Sequence, residues 1–345
     1  MKSATLKEIA QQLNISITTV SKALKNYADV SPATKSAVLE LAKKLHYTPN
    51  SFAINLRTSE SRLIGLIIPE VVHHFFSSIV NGIVAEAEKN DYLVIILQSN
   101  ESVAMEKKQV ELLINKRVDG ILLSLSNESN NDEHIKEILR KEIPLVQFDK
   151  ISKLINSSKV IINDQKAAAE AVQHLIDQGC TKIAHIRGPE NPQNAIDRFL
   201  GYKKTLERNK IKFDPTLVYT CKGAGFDEGF EFMKQIISEH PDVDGVFAVT
   251  DMVAVGAITF LKDCNINVPN QVAIIGFSNW FMSQIITPKL SSVDQPSYKM
   301  GVQAFQLLLK EIKCKKSGAV FVPETIELKT KTIIRESSLK QKTNS

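Results

Sequence analysis

Short hydroxylated and basic side chains alternate with apolar ones in residues 5–24, and their spacing suits contact with nucleic acid. Thr5 stands three residues before Glu8, which is the spacing of a capping box at a helix start. A second helix is predicted over residues 17–25, with Ser16 as its cap. Methyl groups and a cation on such a helix could bind thymine and guanine or phosphate. Its outward-facing residues are Ile17, Thr18, Thr19, Ser21 and Lys22.

Two short amphipathic helices joined by a tight turn are typical of a helix-turn-helix, whose second helix enters the major groove. Any helical hairpin also has one polar face, so this pattern leaves a purely structural interpretation open. The charge distribution favours the DNA-binding interpretation. Residues 1–62 hold nine Lys/Arg and four Asp/Glu, a balance of +5, and the remaining chain holds 34 of each. The excess positive charge would attract a phosphate backbone to this end.

A third helix is predicted to begin at Pro32 after the cap residue Ser31, which would close a three-helix domain over residues 1–48. Residues 49–61 follow as a linker in which Asn50 could cap a short helix carrying Ala53 and Leu56 three residues apart. A helix of two turns is unstable alone in water. The segment is therefore either a plain linker or a hinge helix. A hinge helix would pair with its twin and wedge its leucine into the minor groove.

From residue 63 onward, continuous apolar runs alternate with amphipathic helical stretches. Strands that are apolar throughout are buried on both faces, as in a parallel sheet covered by helices. The alternation occurs twice over, so the predicted fold class is α/β with two doubly wound parallel-sheet subdomains. Residues 325–334 alternate between polar and apolar, like a hairpin or an edge strand.

Several classes of function are disfavoured by the sequence. The four cysteines are scattered without paired spacing, as expected of reduced thiols in the cytoplasm. No signal core and no apolar run of about 20 residues is present, so neither export nor membrane insertion is expected. No GxSxG, HExxH or Walker pattern occurs, so no catalytic residue is predicted and the chain is not expected to be an enzyme.

Two weaker patterns suggest cofactor or metal binding. Residues 223–229 follow a predicted strand and open a helix, like a dinucleotide-binding loop. Their spacing is GxGxxxG, and two acids would face the pyrophosphate, so no cofactor is expected. His73 and His74 are adjacent and have no carboxylate spaced to complete a metal site, so no metal is expected either.

The whole chain resembles the lac repressor (LacI/GalR) family of transcription regulators. The matching segments, in family order, include TLKEIAQQLNISITTVSKALK, HYTPNSFAINLR, RLIGLIIP, QVELLINKRVDGILL, VQHLIDQGCTKIAHIRGP, RFLGYKKTL, TDMVAVGA, NVPNQVAIIGFSN and PKLSSVDQPSYKMG. The resemblance implies a headpiece (1–48), a hinge (49–61) and a core (62–340) like type I periplasmic sugar-binding proteins. Three crossings, near residues 163–164, residues 293–294 and Val322, would separate subdomain 1 (about 62–163 and 294–322) from subdomain 2 (about 164–293 and 323–340).

The same resemblance implies roles in DNA binding. Ile17, Thr18 and Lys22 correspond to base-reading positions. Leu56 corresponds to the minor-groove lever, and Ala53 to the contact between paired hinge helices. The family asparagine after the recognition helix would stand at Lys25, whereas here it comes one residue later, so the operator sequence cannot be copied from relatives. Phosphate contacts are implied for Thr5, Thr19, Ser21 and Tyr47.

An effector cleft is implied at the carboxyl ends of the strands, between the subdomains. Many relatives have an acid at Ser278, and its absence leaves the effector class open. The single tryptophan, Trp280, could stack on a sugar ring or serve in packing. The positions that match family ligand contacts are Phe75, Phe76, Asp149, Arg198, Thr250, Asp251, Ser278 and Asn279.

The sequence therefore predicts a homodimeric, DNA-binding repressor whose affinity for a pseudo-palindromic double-stranded operator is switched by a small-molecule effector, expected to be a carbohydrate. A sugar-binding transport protein with the same core is the second hypothesis. The basic headpiece and the missing signal peptide argue against it. An enzyme of the doubly wound type is the third, and the absent catalytic motifs disfavour it.

Overall fold

The computed structural model describes residues 5–47, 60–72, 74–129 and 132–340. The chain divides into two compact units, residues 1–61 and 62–345. In the described parts, no helix is long and apolar enough to cross a membrane. Asn50, Ala53 and Leu56 lie outside the described residues, so the hinge helix stays a prediction.

The first unit contains three helices, α1 (Leu6–Gln12), α2 (Ile17–Leu24) and α3 (Pro32–Lys44), each of which begins after a capping hydroxyl. Thr5 and Glu8 form the predicted capping box. Ser16 accepts a hydrogen bond from the backbone N–H of Thr19 at 3.0 Å. Apolar residues from all three helices and from the loop before α3 form one small core, made of Ile9, Ala10, Val20, Ala23, Val30, Val38 and Ala42.

The second unit contains two six-stranded sheets, and the predicted α/β fold class is confirmed. The first sheet has the order β11-β5-β4-β3-β1-β2 and is parallel throughout. The second has the order β12-β10-β9-β8-β6-β7 and is parallel except for β12. The strands are β1 (Leu63–Ile68), β2 (Leu93–Gln98), β3 (Gly120–Leu123), β4 (Leu145–Phe148), β5 (Ser158–Ile162), β6 (Ile183–Arg187), β7 (Val218–Thr220), β8 (Gly245–Ala248), β9 (Ala273–Phe277), β10 (Ser291–Asp294), β11 (Thr325–Leu328) and β12 (Lys331–Ile333).

Helices cover the sheets, as the predicted alternation of apolar strands and amphipathic helical stretches requires. They are α4 (His74–Lys89), α5 (Val103–Asn115), α6 (Glu133–Arg140), α7 (Asp164–Asp177), α8 (Gln193–Arg208), α9 (Phe226–Glu239), α10 (Asp251–Asp263) and α11 (Ser297–Ser317).

The chain passes between the two sheets three times, and the third crossing differs from the prediction. The first lies between β5 and α7, and the second lies between β10 and α11. The third was predicted near Val322, but β11 still pairs with β5 of the first sheet at residues 325–328. The crossing therefore falls between β11 and β12, and the first subdomain extends to Leu328.

Of the two alternatives predicted for residues 325–334, the hairpin is wrong. The edge strand is confirmed, because the segment forms two edge strands. β11 pairs in parallel with β5, and β12 pairs antiparallel with β10, so the two strands belong to different sheets. The alternating pattern reports only that each strand is half exposed at a sheet edge. It cannot say which neighbour supplies the hydrogen bonds.

Two glycines allow α4 and α11 to pack with their backbones in close contact. A Cβ atom on Gly301 would lie 2.1 Å from the carbonyl oxygen of Ile79, and one on Gly82 would lie 2.3 Å from that of Tyr298. Neither oxygen can move without shifting a helix. The glycines therefore set the distance between these two helices of the first subdomain.

We expect Gly301→Ala to lower the free energy of unfolding of the second unit by about 1–3 kcal/mol, because overpacking forces the helices apart. Urea denaturation followed by circular dichroism measures the change. Gln303→Ala on the same helix is the matched control and should stay within about 0.5 kcal/mol of the parent. Equal stability of the two variants would contradict the close packing.

One histidine lies in the interior of the second subdomain. His185 on β6 is fully buried and stacks on Phe247, with ring centroids 4.7 Å apart. Its Nδ1 lies 2.9 Å from the carbonyl oxygen of Phe247. Burial lowers the pKa of His185 from the ordinary 6.5 to about 3, so the ring is neutral in the folded protein at pH 7.

His185 should make the folded state acid-sensitive. The unfolded chain protonates this ring as the pH falls through 6.5, whereas the folded protein does not until about pH 3, so stability is lost across that interval. At pH 5 the loss attributable to this group is about 2 kcal/mol. His185→Phe should be less stable at pH 7 but should lose about 2 kcal/mol less than the parent between pH 7 and pH 5. Urea denaturation at several pH values measures the difference. The same dependence of stability on pH in both proteins would contradict the role of His185.

Candidate nucleic-acid interface and ligand cleft

The predicted base-reading residues lie on the outer surface of α2. Val20 and Ala23 are buried, which turns Ile17 and Thr18 outward; Ile17 is 48% exposed. An exposed isoleucine at the N-terminus of a helix can make an apolar contact with the methyl group of thymine. Ser21 is half-buried on the same helix.

Two of the predicted DNA contacts already have partners in the first unit. The hydroxyl of Thr19 lies 2.8 Å from that of Ser16 and takes part in the cap of α2. The ammonium of Lys22 donates a hydrogen bond to the carboxylate of Asp29 in the loop before α3. Sequence reasoning placed the lysine on the surface but did not identify its acidic partner.

The other predicted DNA-contact residues that the structure describes, Thr5 and Tyr47, lie at the ends of the three-helix bundle. Thr5 is exposed and caps α1. Tyr47 is half-buried against the small core, and burial raises the pKa of its hydroxyl. Asn26 adopts a left-handed conformation with φ 57°, which asparagine tolerates better than most residues. The chain therefore turns one residue after Lys25.

In the second unit, a cavity of about 280 Å³ is formed at the carboxyl ends of the strands of both sheets. It is lined by every predicted effector residue except Asn279. The amide of Asn279 instead donates to Asp294 at 2.9 Å and accepts from Arg335 at 2.8 Å. The predicted residues that line it are Phe75, Phe76, Asp149, Arg198, Thr250, Asp251, Ser278 and Trp280.

Arg198 is the most extensively held of these side chains. Its Nε donates to Asp164 at 2.7 Å, and its Nη1 donates to the carbonyl oxygen of Val249 at 2.9 Å. The guanidinium carbon lies 3.7 Å from the centre of the Phe277 ring. Burial raises the pKa of Asp164 to about 7, which the positive charge of Arg198 opposes. The arginine is therefore fixed in position before any ligand arrives.

Asp149 comes directly after β4 in a left-handed conformation with φ 56°. Its carboxylate accepts a hydrogen bond from the amide of Asn194 at 3.2 Å, which joins the first subdomain to the second across the cavity. Burial raises the pKa of Asp149. A second contact across the cleft pairs Lys153 with Asp197 at 3.2 Å.

Asp251 lines the cavity, but its carboxylate is used to organise the surrounding loops. It accepts hydrogen bonds from the backbone N–H of Trp280 at 2.6 Å and from the hydroxyls of Ser283 at 2.8 Å and Ser292 at 2.6 Å. Burial raises the pKa of Asp251, and these three donors oppose that shift. A Cβ atom on Gly276 would lie 2.4 Å from its Oδ1. Asp251 therefore positions Trp280 rather than offering a free carboxylate.

Sequence reasoning missed several polar residues of the cavity. Lys150 donates to Glu101 and to Asn127, both at 2.6 Å. Gln295 donates to the hydroxyl of Ser278 at 3.0 Å, while its buried Oε1 has no hydrogen-bond partner in the part of the chain that the structure describes. Glu101, Asn127, Lys150 and Gln295 all follow strands within a few residues. Applying the strand-end rule to every strand would have found them.

The amides of Gly223 and Gly225 in the glycine-rich segment, and that of Lys222 just before it, are already paired within the chain. The carboxylate of Glu228 accepts hydrogen bonds from the backbone N–H groups of Lys222 at 2.5 Å, Gly223 at 3.0 Å and Gly225 at 3.4 Å. In the described residues, no group of three or more His, Cys, Asp or Glu side chains could hold a metal ion.

Comparison with known proteins assigns both units. Residues 5–50 match the family described as bacterial regulatory proteins, lacI family, and residues 172–338 match the periplasmic binding protein-like domain. The ribose operon repressor of Halalkalibacterium halodurans is 31% identical across 97% of this chain and 97% of its own length. The chain belongs to the lacI family of bacterial regulatory proteins. The resemblance stated from the sequence is thereby confirmed.

Solved structures of similar fold include a transcriptional regulator and the lac repressor. A complex of the transcriptional regulator CelR with cellobiose has a TM-score of 0.74 and 26% identity, covering 97% of this chain and 99% of that chain. The lac repressor dimer bound to operator and the anti-inducer ONPF has a TM-score of 0.86 and 22% identity, covering 98% and 100%. As a lacI-family member, this chain acts in transcription regulation through DNA binding, and its relatives are regulators rather than enzymes.

The role assigned to Asp251 leads to a stability prediction. Asp251→Ala would leave one N–H and two hydroxyls without their acceptor, so it should lower the free energy of unfolding of this lacI-family core by about 2–4 kcal/mol. Urea denaturation followed by circular dichroism measures the loss. Asp263→Ala removes an exposed acid from the same helix and should change stability by less than about 0.5 kcal/mol. Similar values for both variants would show that Asp251 does not organise the loops.

Proposed function

We propose that the protein is a homodimeric repressor of the bacterial cytoplasm whose affinity for a pseudo-palindromic operator is switched by an uncharged carbohydrate in the cleft of the core. The observation that supports the effector class most directly is the pairing of charges around the cavity. Both cations that line it, Lys150 and Arg198, already have carboxylate partners, Glu101 at 2.6 Å and Asp164 at 2.7 Å.

This pairing disfavours an anionic ligand. A phosphate would compete with two carboxylates for those cations and would lie near Asp149 and Asp251 as well. Repulsion between like charges in a poorly solvated site is costly. An uncharged ligand meets no such cost. The effector is therefore a neutral compound rather than a phosphorylated one.

The remaining groups favour a ligand rich in hydroxyls with an apolar face. Phe75 and Trp280 supply aromatic surfaces, against which the C–H face of a sugar ring can pack. Among the described residues, the buried Oε1 of Gln295 has no donor, and the carboxylate of Asp149 accepts one hydrogen bond, from Asn194. The cellobiose bound to the regulator CelR is a ligand of this chemical type.

Binding in the cleft can change the angle between the subdomains. Asp149 and Phe75 belong to the first subdomain, whereas Arg198 and Trp280 belong to the second. A ligand that contacts both alters the balance between open and closed forms. We propose that residues 49–61 transmit this change to the headpieces as the hinge predicted from the sequence, with Leu56 inserted in the minor groove.

Dimerisation is supported by the edge of the first sheet. β2 is an edge strand, and its Leu93 and Ile96 are 71% and 41% exposed. An exposed apolar edge strand is an aggregation hazard unless another element covers it. A second copy of the chain would cover this edge and bring two headpieces together for a two-fold symmetric operator.

The effector can be tested through Trp280, since it is the only tryptophan in the chain. We expect a neutral sugar to change its emission and to shift operator affinity by a factor of about 5–150, the usual range of such couplings. The 6-phosphate of the same sugar should bind at least about tenfold more weakly, because its charge meets paired cations. Titrations of the full chain, with and without duplex DNA, measure both effects.

Trp280→Phe is the control for this titration. It should abolish the fluorescence change while a thermal shift with the same sugar persists. Tighter binding of the phosphorylated sugar would contradict the neutral effector. Operator affinity unaffected by a compound that fills the cleft would contradict the switch.

A further inference from the structure

The ion pair between Lys22 and Asp29 sets this headpiece apart from a simple basic surface. Lys22 lies in the last turn of α2, and its ammonium donates to the Asp29 carboxylate. The two side chains are 42% and 53% exposed, so the pair faces solvent on the side of the recognition helix. The hydrogen bond from Lys22 lowers the pKa of Asp29, with a smaller contribution from the charge of Lys35.

The other acids in residues 5–47 have different partners. Glu8 accepts from the backbone of Thr5 in the capping box, and Glu40 accepts from the hydroxyl of Ser36 at 3.4 Å. Within that range, Asp29 is the acid that the structure pairs with a lysine. The pairing therefore acts on the one cation of the recognition helix.

We propose that Asp29 is a positioning and specificity-determining residue. It holds the Lys22 ammonium at a fixed place on the recognition surface and weakens the attraction of that charge for DNA of any sequence. The inference rests on the proposed placement of α2 in the major groove. It concerns a residue outside that helix and outside the predicted set of DNA contacts.

The first consequence concerns operator binding. A lysine side chain has four rotatable bonds and loses rotamer freedom when it is fixed. Asp29 fixes Lys22 before DNA arrives. An ammonium has three N–H donors, so one can remain on Asp29 while the other two reach the N7 and O6 acceptors of guanine. The specific contact is thus preserved.

The second consequence concerns DNA of the wrong sequence. Non-specific affinity depends on the number of phosphates that basic side chains neutralise, because each contact releases a counterion. A carboxylate beside Lys22 cancels much of its attraction for a phosphate. Asp29 therefore weakens non-specific binding more than specific binding, which raises the ratio between the two.

The test uses the full chain and two duplexes: one selected from a random-sequence pool by the parent protein, and one scrambled duplex of the same composition. Fluorescence anisotropy gives the affinity for each across a range of salt concentrations. For Asp29→Asn we expect tighter binding to the scrambled duplex by about two- to fivefold, the range of an exposed ion pair. The slope of the logarithm of its affinity against the logarithm of salt concentration should become steeper by up to about 0.9, which corresponds to one additional phosphate contact. The ratio of specific to non-specific affinity should fall.

Glu40→Gln is the matched control, because it removes the same charge from α3 without touching Lys22. The inference requires a smaller change in the ratio for this variant. It also requires that Asp29→Asn has little further effect in a Lys22→Gln background. An unchanged ratio in Asp29→Asn, an equal change in Glu40→Gln, or an undiminished effect in the double variant would each overturn it. Thermal unfolding of each variant verifies that the protein is folded.

Lys22→Gln by itself separates this inference from the proposed function. Weaker binding to the selected duplex is expected if α2 occupies the groove. If that variant binds the selected duplex as tightly as the parent, the groove placement fails and the inference fails with it. If the Lys22→Gln variant binds more weakly but Asp29→Asn leaves the ratio unchanged, only the role of Asp29 is overturned.

Discussion

The guanidinium of Arg198 joins the parts of the second subdomain on which the ligand cleft is built. It bonds to Asp164, where the chain first enters that subdomain, and to the carbonyl oxygen at Val249, just beyond the end of β8. It also lies over the ring of Phe277 at the end of β9. A planar cation with donors in fixed directions can hold all three at once, which a lysine could not. The cleft therefore has a rigid wall on this side, and ligand contacts made there need little reorganisation.

The ligand cleft and the headpiece share one feature, which is that cations at each surface are already paired with carboxylates. In the core, Lys150 and Arg198 are paired with Glu101 and Asp164, and the proposed selection of a neutral ligand by hydrogen bonding and shape rests on that pairing. In the headpiece, Lys22 is paired while the surrounding surface remains basic. Coulombic attraction alone is non-directional and favours any opposite charge. Pairing a cation in advance removes part of that attraction and leaves the directional part, which is what distinguishes one ligand or one base sequence from another.

Features that depend on local periodicity can be predicted from the sequence. Features that depend on a hydrogen-bonding or strand-pairing partner elsewhere in the chain cannot. Apolar runs and capping residues identify the strands and helices, because burial and caps are properties of neighbouring residues. The partner of β11 is not such a property, so the third crossing was placed near Val322 instead of after Leu328. Asp251 was predicted as an effector contact and lines the cavity, but its three donors come from residues 29–41 positions along the chain. Lys22 and Asp29 are only seven residues apart, yet a loop without periodicity separates them.

In the described part of the core, the contacts across the cleft are few and weak, which is what the proposed movement of the subdomains by a small ligand requires. Asn194 reaches Asp149 at 3.2 Å, and Lys153 reaches Asp197 at 3.2 Å with the lysine half-exposed. A hydrogen bond to a carboxylate contributes about 1.5–3 kcal/mol, and an exposed ion pair about 0.2–1 kcal/mol. A sugar that adds two or three hydrogen bonds across the same gap brings a free energy of similar size. That is also the scale of typical coupling between two sites, about 1–3 kcal/mol. Because coupling is reciprocal, the proposed switch requires operator DNA to change effector affinity by the same factor by which the effector changes operator affinity.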